Sequence, residues 1–230
     1  MNARSPLPPA STGQRPAPVL LALVGLCAGL EAVLTLAGMP PFGLTILRRG
    51  AIVYGAFWPG LLGDVMPAFP GQRKTMFVTY AFLHGGLMHM LFNMLMLLHL
   101  GREAVQRLGQ AGFLLLFVLS AVGGAGVYGL LATDQTPMLG ASGAVFGLFG
   151  ATMFWDFQRR RVLKASLEPV WRLGLGLIVM NVLLYFMVGG MLAWQTHLGG
   201  FVAGALVARV VTPSLSYRHR SGRGKSAPLR

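Results

Sequence analysis

A chain of 230 residues with 54% hydrophobic and only 11% charged residues is too apolar for a water-soluble domain of this size, so the sequence reads as an integral membrane protein. A formal net charge of +13 would suggest nucleic acid in a soluble protein; here the basic residues set topology and meet anionic lipid head groups, and no nucleic-acid partner is expected. The lone Cys27 rules out an intramolecular disulfide and a cysteine-built metal site; no metal and no cofactor are expected.

Residues 1–17, rich in Pro, Ser and Arg, read as a disordered cytoplasmic start. Six apolar stretches then follow, at about 19–38, 78–100, 111–131, 142–157, 172–188 and 194–211, to be compared with the roughly 20 residues a helix needs to cross a bilayer. The first resembles a secretory signal because Arg4 and Arg15 precede it. It runs past Glu31 to Ala37, however, and is longer than the roughly 7–15 apolar residues of a signal, so it reads as a retained anchor. The loop 39–77 carries Pro40, Pro41, Pro59, Pro67 and Pro70 beside the apolar piece 51–58, and is expected to lie partly in the outer leaflet, with Tyr54, Phe57 and Trp58 as interfacial anchors. Residues 213–230 form a basic tail, expected to be disordered and cytoplasmic, which leaves 18–212 as one all-α, six-span membrane domain.

Lys and Arg mark the cytoplasmic side. Arg4, Arg15, Arg102, Arg107, Arg159, Arg160, Arg161, Lys164, Arg172 and the tail from Arg209 fall on one side, which puts both termini inside. The opposite side has Arg48, Arg49, Arg73 and Lys74 in the long loop and Asp134 in the next.

Polar groups at membrane depth mark function by default. Counting from the nearest basic residue at each inner end, Ser142 is 17 residues from Arg159, His197 is 12 from Arg209 and His89 is 13 from Arg102. At 1.5 Å per residue these are roughly 26, 18 and 20 Å, all in the outer half of a core about 30 Å thick. His89 and Asn93, four apart, share a helix face. Acyl transfer needs a nucleophile, a base and donors aimed at the oxyanion; Ser142, His197 and the pair His89/Asn93 are candidates for these parts. At the first turn of a helix, Ser142 would also offer its own unpaired N–H to the oxyanion. Among six carboxylates only Glu31 could share the depth of His197, so a Ser-His dyad is the default and a Glu31-assisted triad the alternative.

Plainer readings exist for each residue. Ser142 in Gly-Ala-Ser-Gly can be a small packing residue, and His197 and Asn93 can be interhelical hydrogen bonders. The spacing of His84, His89 and His99 fits no common metal site. Gly143, Gly147 and Gly150 in the fourth span, and Gly200 and Gly204 in the sixth, have the spacing that lets helix backbones approach closely, which would bring Ser142 towards His197.

The segment from His84 to Asn93, His-Gly-Gly-Leu-Met-His-Met-Leu-Phe-Asn, resembles the second-helix motif of the rhomboid intramembrane serine proteases. Gly140-Ala141-Ser142-Gly143 is similar to their nucleophile motif, and the run from His197 to Gly204 to their histidine helix. The resemblance implies a six-helix bundle that cuts transmembrane protein substrates in or beside the bilayer. In it Ser142 would be the nucleophile, His197 the base, and His89, Asn93 and the Ser142 N–H the oxyanion hole, with His84 holding the loop before the second helix. It further implies an active site opening to the outer face, in a chain read here as a bacterial cytoplasmic-membrane protein. Three positions depart from the family pattern: Thr75-Met76 where Trp-Arg is common, Gln106 where Glu is usual, and Phe146 where a Tyr often stacks on the base. Two rivals are an inactive rhomboid-like protein that binds membrane clients, and a small transporter using His89, Asn93 and His197 as an ion path. The presence of both Ser142 and His197 speaks against the first, and the lack of a paired acidic relay against the second.

Overall fold

The computed structural model of the protein describes residues 16–211. Apart from residues 16 and 17, the terminal segments 1–17 and 213–230, expected to be disordered, lie outside the described residues. The chain forms α1 (Pro18–Gly38), α2 (Thr45–Gly55), α3 (Gln72–Thr79), α4 (Leu87–Leu131), α5 (Ser142–Leu163), α6 (Glu168–Met187) and α7 (Trp194–Val211). Among the described residues there is no strand, only an isolated antiparallel pairing of Phe57 with Met138. The all-α class read from the sequence is the class found. Among the described residues three helices, α1, α4 and α6, are long and apolar enough to cross a membrane.

Helix α4 is two limbs, because Gly109 takes φ 72° and ψ 176°, which no helix tolerates. A side chain added at Gly101 would meet Leu20 of α1 and the ring of Phe113. In an unbroken helix residues 12 apart stand roughly 18 Å from each other, so the limbs 87–108 and 110–131 fold back on one another. The break between the second and third expected stretches thus sits at Gly109. The second stretch, however, starts at Leu87 rather than 78. Residues 72–79 form the separate helix α3, a 3-10 turn follows at Tyr80–Phe82, and Gly86 at φ 147° turns the chain into α4.

Helices α4, α5 and α7 pack together at the centre, with α1 against α4. The contact of α5 with α7 is made backbone to backbone. An added Cβ at Gly200 would strike the carbonyl of Gly143, at Gly204 the carbonyl of Gly147, and at Gly150 the carbonyl of Phe201. Glycine is required at these crossings for lack of space. Helix α6 is attached thinly. Only Val170 and Leu177 are buried along its length, while Ile178, Val182, Leu183, Phe186 and Met187 face outward.

The 39–77 segment departs from the expectation of a loop with three aromatic anchors. It contains α2 and α3, and Phe57 is fully buried, edge-on to Phe77 at 5.1 Å and to Tyr128 at 6.0 Å. Trp58 donates its indole N–H to the Ile52 carbonyl at 3.0 Å, leaving Tyr54 as the exposed aromatic of the three. Phe57 goes inward because its own N–H and C=O pair with Met138, which draws that part of the segment against the core.

Glu31 is buried on α1 and is held by Arg48 of α2. Arg48 Nη2 lies 2.8 Å from Oε1 and Nη1 lies 3.2 Å from Oε2, and Thr35 donates its hydroxyl to Oε1. The same guanidinium donates to the His84 carbonyl at 3.1 Å. One buried carboxylate therefore ties α1, α2 and the turn before α4 together. Glu31→Gln is expected to lower stability by up to about 3 kcal/mol, the low end for a buried pair that loses one partner, because Arg48 keeps partial access to solvent. Thermal unfolding in detergent measures it, and an unchanged midpoint would show the pair to be dispensable.

Candidate active site

Residues 132–141 lead into α5 and are pinned at three points. Phe57 and Met138 exchange both backbone hydrogen bonds at 2.9 Å, Gly140 N–H donates to the Tyr80 carbonyl at 3.0 Å, and Ala141 N–H donates to His84 Nε2 at 3.4 Å. Tyr80 is in turn anchored through its hydroxyl to the Ala121 carbonyl at 2.8 Å. Ser142 follows as the first residue of α5, so its N–H has no partner in the helical ladder.

His89 packs against this same turn. An added Cβ at Gly140 would lie 2.7 Å from His89 Cε1 and 2.9 Å from Nε2, and Gly140 also has φ 124°, so only glycine fits there. Gly85 N–H points at His89 Nδ1 from 3.4 Å, which favours the tautomer with the proton on Nε2, the nitrogen facing Gly140. His84 and His89 lie edge to face, with ring centroids 5.2 Å apart. Asn93, buried one turn further along α4, donates through Nδ2 to the His89 carbonyl at 2.8 Å, which leaves its second N–H uncommitted to that bond.

His197 is buried near the start of α7 and lies flat on Phe146, with centroids 4.1 Å apart and planes within 5°. Ser142 is one turn before Phe146 on the same face of α5. Because the Gly143 carbonyl touches Gly200, Ser142 and His197 sit at matching ends of two touching helices. The structure thus brings Phe146 to His197, and His84 and His89 to the turn that carries Ser142. The hydrogen bond made by His197 goes to another residue, Asn181 of α6, whose Oδ1 lies 2.5 Å from Nδ1. Glu31, the carboxylate considered for this place from the sequence, is committed to Arg48 and Thr35. Asn181 escaped the sequence reading although a signal existed: it is the one strongly polar side chain in the apolar run 173–184.

Phe146, Asn181 and His197 border a cavity of about 950 Å³ between α5, α6 and α7, otherwise walled by apolar residues such as Trp171, Ile178 and Phe201. No group of three metal-ligating side chains occurs among the described residues.

Comparison with known proteins fits this arrangement. A sequence model of the Rhomboid domain matches residues 71–214. The chain is 31% identical over 139 residues to Rhomboid-like protease 3 of Toxoplasma gondii, a match covering 60% of this chain and 52% of that protein. It is 30% identical over 154 residues to RHOMBOID-like protein 4 of Arabidopsis thaliana, covering 64% and 36%. With Rhomboid protease GlpG of Photorhabdus laumondii it shares 28% identity over 176 residues, covering 73% and 60%. The matches therefore span about a third to three fifths of these relatives' own lengths. With the domain match covering α3 to α7, including His84, His89, Asn93, Ser142 and His197, this membrane protein belongs to the rhomboid family.

Proposed function

We propose that the protein is an intramembrane serine endopeptidase that hydrolyses peptide bonds in or beside transmembrane segments through a Ser142–His197 dyad. In this reading α1, the two limbs of α4, α5, α6 and α7 are six spans, both termini are cytoplasmic, and the site opens to the outer face of a bacterial cytoplasmic membrane. The observation that carries the reading is the closure of α5 on α7 through Gly143 and Gly200, which sets the serine and the histidine at the same end of two touching helices. Catalytic hydrogen bonds are often long in an enzyme without substrate and tighten in the complex, so the present His197 partner is compatible with a base.

Ser142 Oγ attacks the peptide carbonyl carbon as His197 Nε2 takes its proton. The tetrahedral oxyanion is met by the Ser142 N–H, by His89 Nε2–H and by the free N–H of Asn93. Collapse breaks the C–N bond, with the proton passing from His197 to the leaving amine; water then attacks the acyl-enzyme carbonyl as His197 takes its proton, and collapse of this second oxyanion breaks the ester C–O bond and returns the proton to Ser142 Oγ. The apolar cavity beside His197 suits the side chains of a transmembrane segment. Phe146 keeps the imidazole flat without needing a hydroxyl.

Reaction of purified protein with a fluorophosphonate, read by mass spectrometry, tests the nucleophile. Modification at Ser142, lost in His197→Ala, supports the reading, whereas no modification would favour an inactive client-binding rhomboid. The oxyanion role is tested separately. Asn93→Ala should lower kcat by less than the 2.7–4 kcal/mol that removing one donor costs in a soluble protease, roughly ten- to a hundredfold, because two other donors remain. Turnover unchanged when His89 and Asn93 are both replaced by Ala would refute that role.

A further inference from the structure

We propose that Asn181 is the positioning residue for the base: its amide oxygen holds the proton of His197 on Nδ1 and so leaves Nε2 as the acceptor that faces Ser142. The inference rests on the protease reading for its consequence in turnover, and on the hydrogen bonds for its chemistry.

Either end of an asparagine amide can face an imidazole, so the amide's own tether decides the case. Asn181 Nδ2 donates to the Leu177 carbonyl at 2.8 Å, one turn back on α6. That fixes the nitrogen towards its own helix and turns Oδ1 towards His197, 2.5 Å away. An oxygen acceptor requires a donor, and so Nδ1 carries the proton. A neutral imidazole then has a lone pair only on Nε2, the atom a serine base needs. The stack on Phe146 removes the remaining freedom by fixing the ring plane. An uncharged oxygen here does what a carboxylate does in soluble triads, setting tautomer and orientation, and it spares the chain a buried anion.

The location of Asn181 gives the bond a second meaning. Helix α6 has few other holds on the bundle, so the His197 contact is among the attachments that keep its middle close to α7. Drawing α6 away would release the base at the same time.

Asn181→Ala, Asn181→Asp and wild type, each purified in detergent with 15N-labelled histidine, provide the test. In wild type the ring nitrogen signals of His197, assigned by their loss in His197→Ala, should report protonation on Nδ1. In Asn181→Ala they should shift to a mixture of the two tautomers. On a transmembrane substrate Asn181→Ala should lose about ten- to a hundredfold in kcat with KM changed by less than about twofold, and Asn181→Asp, which keeps the acceptor oxygen, should recover most of that loss. A purely structural role would move the unfolding temperature and KM and would leave the tautomer alone. Wild-type His197 protonated on Nε2, or an unshifted tautomer with wild-type kcat in Asn181→Ala, would overturn the proposal. Should Asn181→Ala fail to fold, the wild-type spectrum and the Asn181→Asp rescue still decide it. Failure of wild-type Ser142 to react with the fluorophosphonate overturns the protease reading instead, and the nitrogen spectra continue to decide the role of Asn181.

Discussion

Ser142→Ala and His197→Ala should each bring cleavage of a transmembrane substrate below detection, with the double variant no worse than either alone. In the proposed mechanism nucleophile and base act as one unit, and in a soluble serine protease removing either costs on the order of a millionfold in kcat, about as much as removing both. The bundle should survive both changes. The Ser142 hydroxyl makes no hydrogen bond on which the α5 N-terminus depends, since that turn is held by Gly140 and Ala141 backbone donors, and Phe146 still fills its side of the α5–α7 contact. Unfolding temperature measured alongside cleavage separates loss of chemistry from loss of fold. Full-rate cleavage by purified Ser142→Ala would remove the serine from the mechanism.

The second large effect is expected at Gly204, far along α7 from the reacting atoms. A Cβ there runs into the carbonyl of Gly147, which is main chain and has no rotamer to escape into. The helices must separate, and overpacking of this kind typically costs about 1–3 kcal/mol. Separation also draws His197 away from Ser142, and a displacement of about 1 Å can cost a hundredfold in rate. Gly204→Ala should therefore lower both unfolding temperature and kcat. Gly176→Ala is the matched control, because nothing lies within 4 Å of a Cβ at Gly176, and it should behave as wild type. Equal behaviour of the two variants would refute the backbone contact between α5 and α7.

What the sequence made legible was mostly chemistry that is out of place in hydrocarbon. A serine and two histidines in apolar stretches stood out, and so did glycines four residues apart, because both patterns need neighbours a bilayer does not supply. Composition sufficed for the all-α class, and Gly109 falls between two stretches already separated by polarity. Residues whose roles depend on a distant partner were harder to read. Arg48 is 17 positions from Glu31 across a turn, so no helical spacing links them. Phe57 looked like an interfacial aromatic because its position in the core is set by Met138, 81 residues later. The start of α4 lies later than the apolar pattern implies because 78–82 is also largely apolar, whereas the chain leaves helical geometry over residues 83–86, from the extended Leu83 to Gly86 at φ 147°. Asn181 carries no charge to mark it as a partner for a histidine, and His197 is met by this neutral amide rather than by a carboxylate.

The three pins on residues 132–141 come from Phe57, Tyr80 and His84, and His84 is itself held at its carbonyl by Arg48. The matched Rhomboid domain begins at residue 71, so it contains Tyr80 and His84 but neither Phe57 nor Arg48. The matched domain is therefore smaller than the stretch of chain that holds the turn before Ser142. A substitution before residue 71, at Phe57 or Arg48, thus has a route to Ser142 that touches no residue of the matched domain.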